Sequence, residues 1–94
     1  MRVRWLSRAL RNLEEEAEYI ARDDPNAAAR IVDRIATSVE RLATHPALGR
    51  TGRVPATREM VVSGTPYIVP YRVRGEMVEI LRVFHATRKC PEKF

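Results

Sequence analysis

The apolar positions of this chain follow a helical period first and a strand period later. Leu6, Leu10, Leu13, Ala17 and Ile20 recur at spacings of four and three. At about 100° per residue they fall in an arc of roughly 80°, the narrow stripe of an amphipathic helix. Ser7 stands at the start of that run as an N-cap candidate, because its hydroxyl can accept from an amide of the first turn. Glu14, Glu15, Glu16 and Glu18 occupy the rest of the circumference as a solvated face, and Glu18–Arg22 has the favourable (i, i+4) spacing. Asp23-Asp24-Pro25-Asn26 then punctuates the chain. Asp24 caps a second helix and Pro25 fits its first position, where a missing N–H has no partner to lose. Ala28, Ile31, Ile35, Val39 and Leu42 form the stripe of this helix, which ends near His45-Pro46. Two amphipathic helices with a short turn between them predict an antiparallel hairpin. Arg30, Arg34 and Arg41 share another face of the second helix, where the glutamates of the first can pair with them.

Residues 46–57 hold two Gly and two Pro, which exclude a regular element and predict a loop, made basic by Arg50 and Arg53. Strand patterns follow at Arg58 to Ser63, Pro66 to Arg74 and Glu76 to His85, separated by Gly64-Thr65 and Gly75. Spacers this short make the three strands antiparallel neighbours. Pro70 inside the second of them points to an edge or a bulge. Arg2 to Leu6, with Val3, Trp5 and Leu6 apolar, predicts one more short strand at the start. The tail from Ala86 to Phe94 shows no period. The order is β-α-α-β-β-β: an α+β domain, its antiparallel sheet packed against an N-terminal helical hairpin. One irregularity stands out in the last strand. Ile80 and Phe84 point one way and Leu81 and Val83 the other, so both faces are apolar. Either the helices and tail cover both faces, or a partner chain covers one.

Ninety-four residues make one domain, spanning 1–94, and 45% hydrophobic with 31% charged residues is the composition of a folded chain. The single cysteine, Cys90, excludes an internal disulfide and a cysteine-built zinc site, and no cofactor is expected. The apolar runs are too short for a membrane helix. Met1-Arg2-Val3-Arg4-Trp5 lacks the apolar stretch of a signal peptide, so the expected location is the cytoplasm. The net charge is +5, and all of it lies in the second half: residues 1–49 carry eight basic and eight acidic side chains, residues 50–94 nine and four. Fifteen of the 17 cations are arginine, whose planar fork suits phosphate and carboxylate. This asymmetry predicts an anionic partner, either nucleic acid or an acidic protein.

Thr57-Arg58-Glu59 opening a strand, Pro66-Tyr67-Ile68-Val69, Tyr71-Arg72-Val73, Ile80-Leu81-Arg82-Val83-Phe84-His85 and Arg88 together resemble the RelE/ParE superfamily of bacterial type II toxins. Asn26 with Ala28-Ala29, and Leu42 through Pro46 to Gly49-Arg50, fit the same pattern, so the resemblance runs in order along the whole chain. It implies a RelE-like fold and a small growth-inhibiting toxin silenced by a cognate antitoxin. In the RelE branch the activity is cleavage of mRNA in the ribosome; in the ParE branch it is inhibition of DNA gyrase without known nuclease action. The Pro-Tyr-Ile-Val…Tyr-Arg-Val pattern and the His85…Arg88 ending look more like ParE.

The alternative, a metal-independent mRNA endonuclease, needs a base, an acid and cations for the charged phosphorane. Arg58, Arg82, His85 and Arg88 are its candidate residues, with Arg58 and Arg82 carried over from RelE-type nucleases. Arg82 lies among apolar strand neighbours and needs an anion or a carboxylate, Glu59 or Glu79. His85 either moves a proton or ends its strand bonded to backbone. Tyr67 and Tyr71 read as packing residues and Cys90 as a tail thiol. Phe94 stands where RelE-type nucleases often carry a terminal tyrosine or histidine, and it cannot move a proton. For the antitoxin, the expected segment is acidic and amphipathic, disordered alone, and laid along a groove between hairpin and sheet. Leu10, Leu13 and Ala17, with Arg58 and Arg82 nearby, are its expected contacts.

Overall fold

The computed structural model describes residues 1–87, so Arg88, Cys90 and Phe94 lie outside the described residues. Arg2–Trp5 forms β1, Ser7–Ala21 α1 and Pro25–Glu40 α2, which runs on into a 3-10 turn at Arg41–Ala43. The remaining strands are β2 (Arg50–Thr51), β3 (Arg58–Val61), β4 (Tyr67–Arg74), β5 (Met77–Ile80) and β6 (Phe84–His85). They build one sheet in the order β1-β5-β4-β3-β2, with β6 also paired to β4. The α+β architecture and the hairpin on the sheet follow the expected order. The sheet itself is mixed, because β1 lies parallel to β5 with Val3 opposite Val78 and Trp5 opposite Ile80. No helix among the described residues is long and apolar enough to cross a membrane.

The second helix forms as its sequence dictates. Asp24 accepts at Oδ1 from the amides of Asn26 and Ala27 at 3.1 Å, and Pro25 opens the first turn. Its buried residues are Ala28, Ile35 and Val39, with Leu42 just beyond. Arg34 does not reach the glutamates of α1; it donates to the Ser63 carbonyl at 3.0 Å and ties α2 to the turn after β3.

The first helix departs from its pattern twice. Leu6, not Ser7, occupies the N-cap in an extended conformation without a side-chain cap, and Ser7 is already helical. The only fully buried residue of α1 is Ala9, with Leu13 and Ile20 packed on the core, whereas Leu10 is 44% exposed. The buried face thus runs through Ala9, Asn12, Leu13, Glu16 and Ile20, including two polar positions. Ala9 lets the helix approach the sheet closely.

Two strand boundaries also change. A short β2 arises inside the expected loop, where Arg50 and Thr51 pair with Glu59 and Arg58. The expected strand from Glu76 to His85 splits in two. Ile80 lies opposite Tyr71, but Phe84 lies opposite Ile68, so four steps on one strand meet three on the other. The extra residue is a β-bulge, and it accounts for the two-sided apolar pattern: the alternation reverses across Leu81–Val83. Pro70 sits opposite it. Its carbonyl accepts from the Leu81 amide at 2.9 Å. A residue's N–H and C=O leave an extended strand on the same side, so the donor that proline lacks falls where the bulge interrupts the ladder. Pro70 therefore marks a bulge in a central strand, not an edge.

Candidate functional site

The bulge aims Arg82 at α1. Its Nε donates to Asn12 Oδ1 at 2.7 Å, and the same oxygen accepts from the Val83 amide at 3.2 Å. Glu59 and Glu79, the expected partners of Arg82, are both taken by other arginines. Burial lowers the proton affinity of the Arg82 guanidinium, the Arg8 charge lowers it further and Glu15 partly restores it. Arginine stays charged throughout, so a half-buried cation sits at the junction of helix and sheet. Beside it, Tyr67 donates to Glu16 at 2.8 Å and packs edge-on against His85, ring centroids 5.5 Å apart. His85 Nδ1 accepts from the Thr87 amide at 3.2 Å, which puts the proton of the neutral ring on Nε2.

Asn12 is therefore the hinge pin of this cluster. Asn12→Ala removes the acceptor for one charged and one backbone donor. We expect a loss of about 1 kcal/mol of stability, read by urea denaturation. An unchanged denaturation midpoint would show that the bond contributes nothing.

A second group of charges lies on the sheet face away from the helices. Glu59 is 3% exposed and accepts from Arg53, from its amide at 3.0 Å and from its Nε at 3.2 Å, and pairs with Arg50 at 3.5 Å. Burial by itself would raise the Glu59 carboxyl, but the Arg53 amide and guanidinium, helped by Arg50, hold it below the usual range. Arg53 also lies over the Phe84 ring, 5.6 Å from its centroid. On the same face Glu79 accepts from Arg72 at 2.7 Å, with Arg74 at 3.8 Å. The Arg72 hydrogen bond is the chief reason its carboxyl is held low, against the effect of burial.

Arg58 belongs to neither group. It opens β3 opposite Tyr71, and its Nη1 donates to the Gly49 carbonyl at 2.8 Å. His85 lies opposite Tyr67, four residues away along β4, about 13 Å at the rise of a strand. The structure thus brings Arg82 and His85 to one side of β4, sets Arg58 apart from them, and leaves Arg88 outside the described residues. Tyr67 and Tyr71 are buried packing residues as expected. Their hydroxyls do more than pack, however. Tyr71 donates to the Pro46 carbonyl at 2.7 Å and accepts from the Gly49 amide at 2.8 Å, pinning the loop that carries Arg50 and Arg53.

Of the expected antitoxin contacts, Leu10 is exposed, Leu13 is half-buried against the core and Ala17 lines an open apolar groove of about 610 Å³. That groove lies between the two helices, not between hairpin and sheet. Ala21, Ala28, Ala29, Val32 and Ala36 line it with Ala17, and Glu18 and Asp33 lie at its rim. The apolar stripe of α1 does not mark Asn12 and Glu16. The available signal was a helix-interior asparagine beside the apolar stripe, a poor helix former that calls for a hydrogen-bonding reason.

The chain is similar to known toxins over almost its full length. It is 54% identical over 91 residues to Y4kP, a candidate toxin of Sinorhizobium fredii, covering 97% of this chain and 94% of that one. Toxin RelE2 of Caulobacter vibrioides is 38% identical over 86 residues, 92% of this chain and 96% of the relative. Among solved structures, one of the chromosomal ParDE toxin–antitoxin system from P. aeruginosa superposes with a TM-score of 0.81 at 27% identity, covering 90% of this chain and 95% of the other. The model of the ParE toxin of type II toxin–antitoxin systems matches residues 3–89. With that match over nearly the whole chain and the same fold, the protein belongs to the ParE toxin family of type II toxin–antitoxin systems.

Proposed function

We propose that this toxin stops growth by binding DNA gyrase, and that it does so without catalysing a reaction. One observation carries the choice over RNA cleavage. The two arginines expected to clamp a phosphorane are held by different elements, Arg58 by the Gly49 carbonyl and Arg82 by Asn12. Transition-state stabilisation needs donors converging on one developing charge. The candidate base adds to the argument, since His85 Nδ1 already accepts from the Thr87 amide.

The second reading, a ribosome-dependent mRNA endonuclease, is favoured by the relative named RelE2 and by the adjacency of Arg82 and His85 at the bulge. Pulse labelling after induction in a bacterial host separates the two. The gyrase reading predicts that DNA synthesis falls first while protein synthesis continues. An immediate stop in protein synthesis with DNA synthesis intact would favour the nuclease.

The cognate antitoxin is proposed to cover the exposed flank of α1 at Leu10 and the neighbouring groove lined by Ala17, with its carboxylates toward Arg82. Support comes from the 44% exposure of Leu10 and from the position of Arg82 beside α1. Raising salt is expected to slow association and to change dissociation less, because screening weakens long-range attraction and not buried apolar contact.

A further inference from the structure

In the assembled sheet β1 returns to lie beside β5, so arginines from the start of the chain join those of the basic second half. Register then aligns residues from three strands in two rows. Arg4, Glu79 and Arg72 form one row, and Arg2, Met77 and Arg74 the next. Residues opposite each other in a sheet share a face, and this is the face away from the helices, since Val3, Trp5, Val78 and Ile80 pack on the core. Arg2, Arg4 and Arg74 are exposed and Arg72 is half-buried. A single carboxylate, Glu79, sits among them, and Glu76 adds one more in the turn beside Arg2. Two positive charges remain in excess. Arg50 and Arg53 around Glu59 add another on the same face.

We propose that this arginine strip binds the sugar–phosphate backbone of duplex DNA. An acidic protein segment fits it less well. Such a segment needs apolar anchors spaced along it, and the strip offers only the half-buried Met77 within it and one hollow at its end, where Val54, Pro55 and Leu81 lie beside Arg72 and Arg74. A single strand fits less well too, because it binds by stacking its bases on aromatic side chains. Trp5 faces the core, and Phe84 is buried beneath Arg53. Charge and forked N–H donors without anchors or stacking platforms are what backbone contacts use. Glu79 orients the fork by holding Arg72 through Nε. The strip is independent of Arg58, Arg82 and His85. A toxin that acts on a DNA-handling enzyme would gain from holding the DNA as well, but the interaction stands or falls without that enzyme.

The test is fluorescence anisotropy of the purified toxin with a labelled DNA duplex of arbitrary sequence, across a salt series and with no gyrase present. Binding should weaken steeply with salt and show no sequence preference. Arg2→Gln with Arg4→Gln should flatten the slope of log K against log salt by about 2. At 0.1 M salt the loss should be on the order of 10- to 100-fold. These two side chains have no hydrogen-bond partner among the described residues, so the variant should keep its fold. Arg22→Gln with Arg30→Gln removes the same net charge from the helical hairpin, away from the strip, and should leave the slope unchanged. The proposal is overturned if both double variants lose affinity equally, if the wild type does not bind DNA, or if a polyglutamate peptide binds better than the duplex. Since gyrase is absent, failure here would leave the reading of the toxin's target untouched.

Discussion

Replacing Tyr71 by Ala should destabilise the domain by about 3–5 kcal/mol, the usual cost of deleting a buried aromatic ring. A domain of this kind has only about 5–15 kcal/mol in total, so the variant should be partly or wholly unfolded at moderate temperature. The ring is 0% exposed and lies in the main core cluster. Its hydroxyl adds a separable contribution. It bridges the Pro46 carbonyl and the Gly49 amide, two backbone groups of the loop that leads into β2. Tyr71→Phe keeps the ring and orphans both, which should cost about 1–3 kcal/mol. Little room exists for the loop to adapt. A Cβ on Gly49 would lie 2.7 Å from Tyr71 Cε1 and 2.9 Å from the Glu59 carbonyl oxygen. Urea denaturation of the two variants checks both parts. If Tyr71→Phe matched the wild type, the hydroxyl would not be the anchor of the loop.

Glu59→Gln should lower stability at neutral pH by about 1–2 kcal/mol, and it should also remove part of the acid sensitivity. The carboxylate is buried, but both arginines that meet it are about half exposed, which keeps the effect modest. The sign follows from the direction of the shift. The folded protein holds Glu59 below the ordinary value of 4.5, so the unfolded chain takes up the proton more readily. The stabilisation is complete above that value and is lost as pH falls through the lower, folded value. Glu79 is shifted in the same direction, so the variant should keep the share of acid sensitivity that Glu79 supplies. Chemical denaturation between neutral pH and pH 3 should therefore show a shallower decline for Glu59→Gln than for the wild type. Parallel declines would mean that Glu59 does not carry this linkage.

The helices were legible where one physical cause dominated. In α2 the apolar stripe, the Asp24 cap and Pro25 agree, and the helix forms as the pattern says. In α1 the pattern led to Leu10 and Ala17, while the sheet receives Ala9, Asn12 and Glu16. Hydrophobicity cannot see that Tyr67 and Arg82, more than fifty residues away, supply hydrogen bonds to those polar positions. Strand identity was likewise visible and strand registry was not. The bulge at Leu81–Val83 left a trace in the two-sided apolar pattern, and Pro70 marked its partner. The two-residue β2 left none, because its pairing depends on Glu59 and Tyr71 holding the loop in place. The arginines at Arg2 and Arg4 looked unremarkable at one end of the chain. Only the parallel pairing of β1 with β5 gathers them with Arg72 and Arg74.

The most direct test of a non-catalytic toxin uses one purified preparation in two assays, gyrase supercoiling and cleavage of ribosome-bound mRNA. Supercoiling should stop as toxin is titrated toward the concentration of the enzyme, while the mRNA stays intact even with toxin in excess. Cleaved mRNA beside fully active gyrase would contradict a non-catalytic action and would assign Arg82 and His85 to an active site.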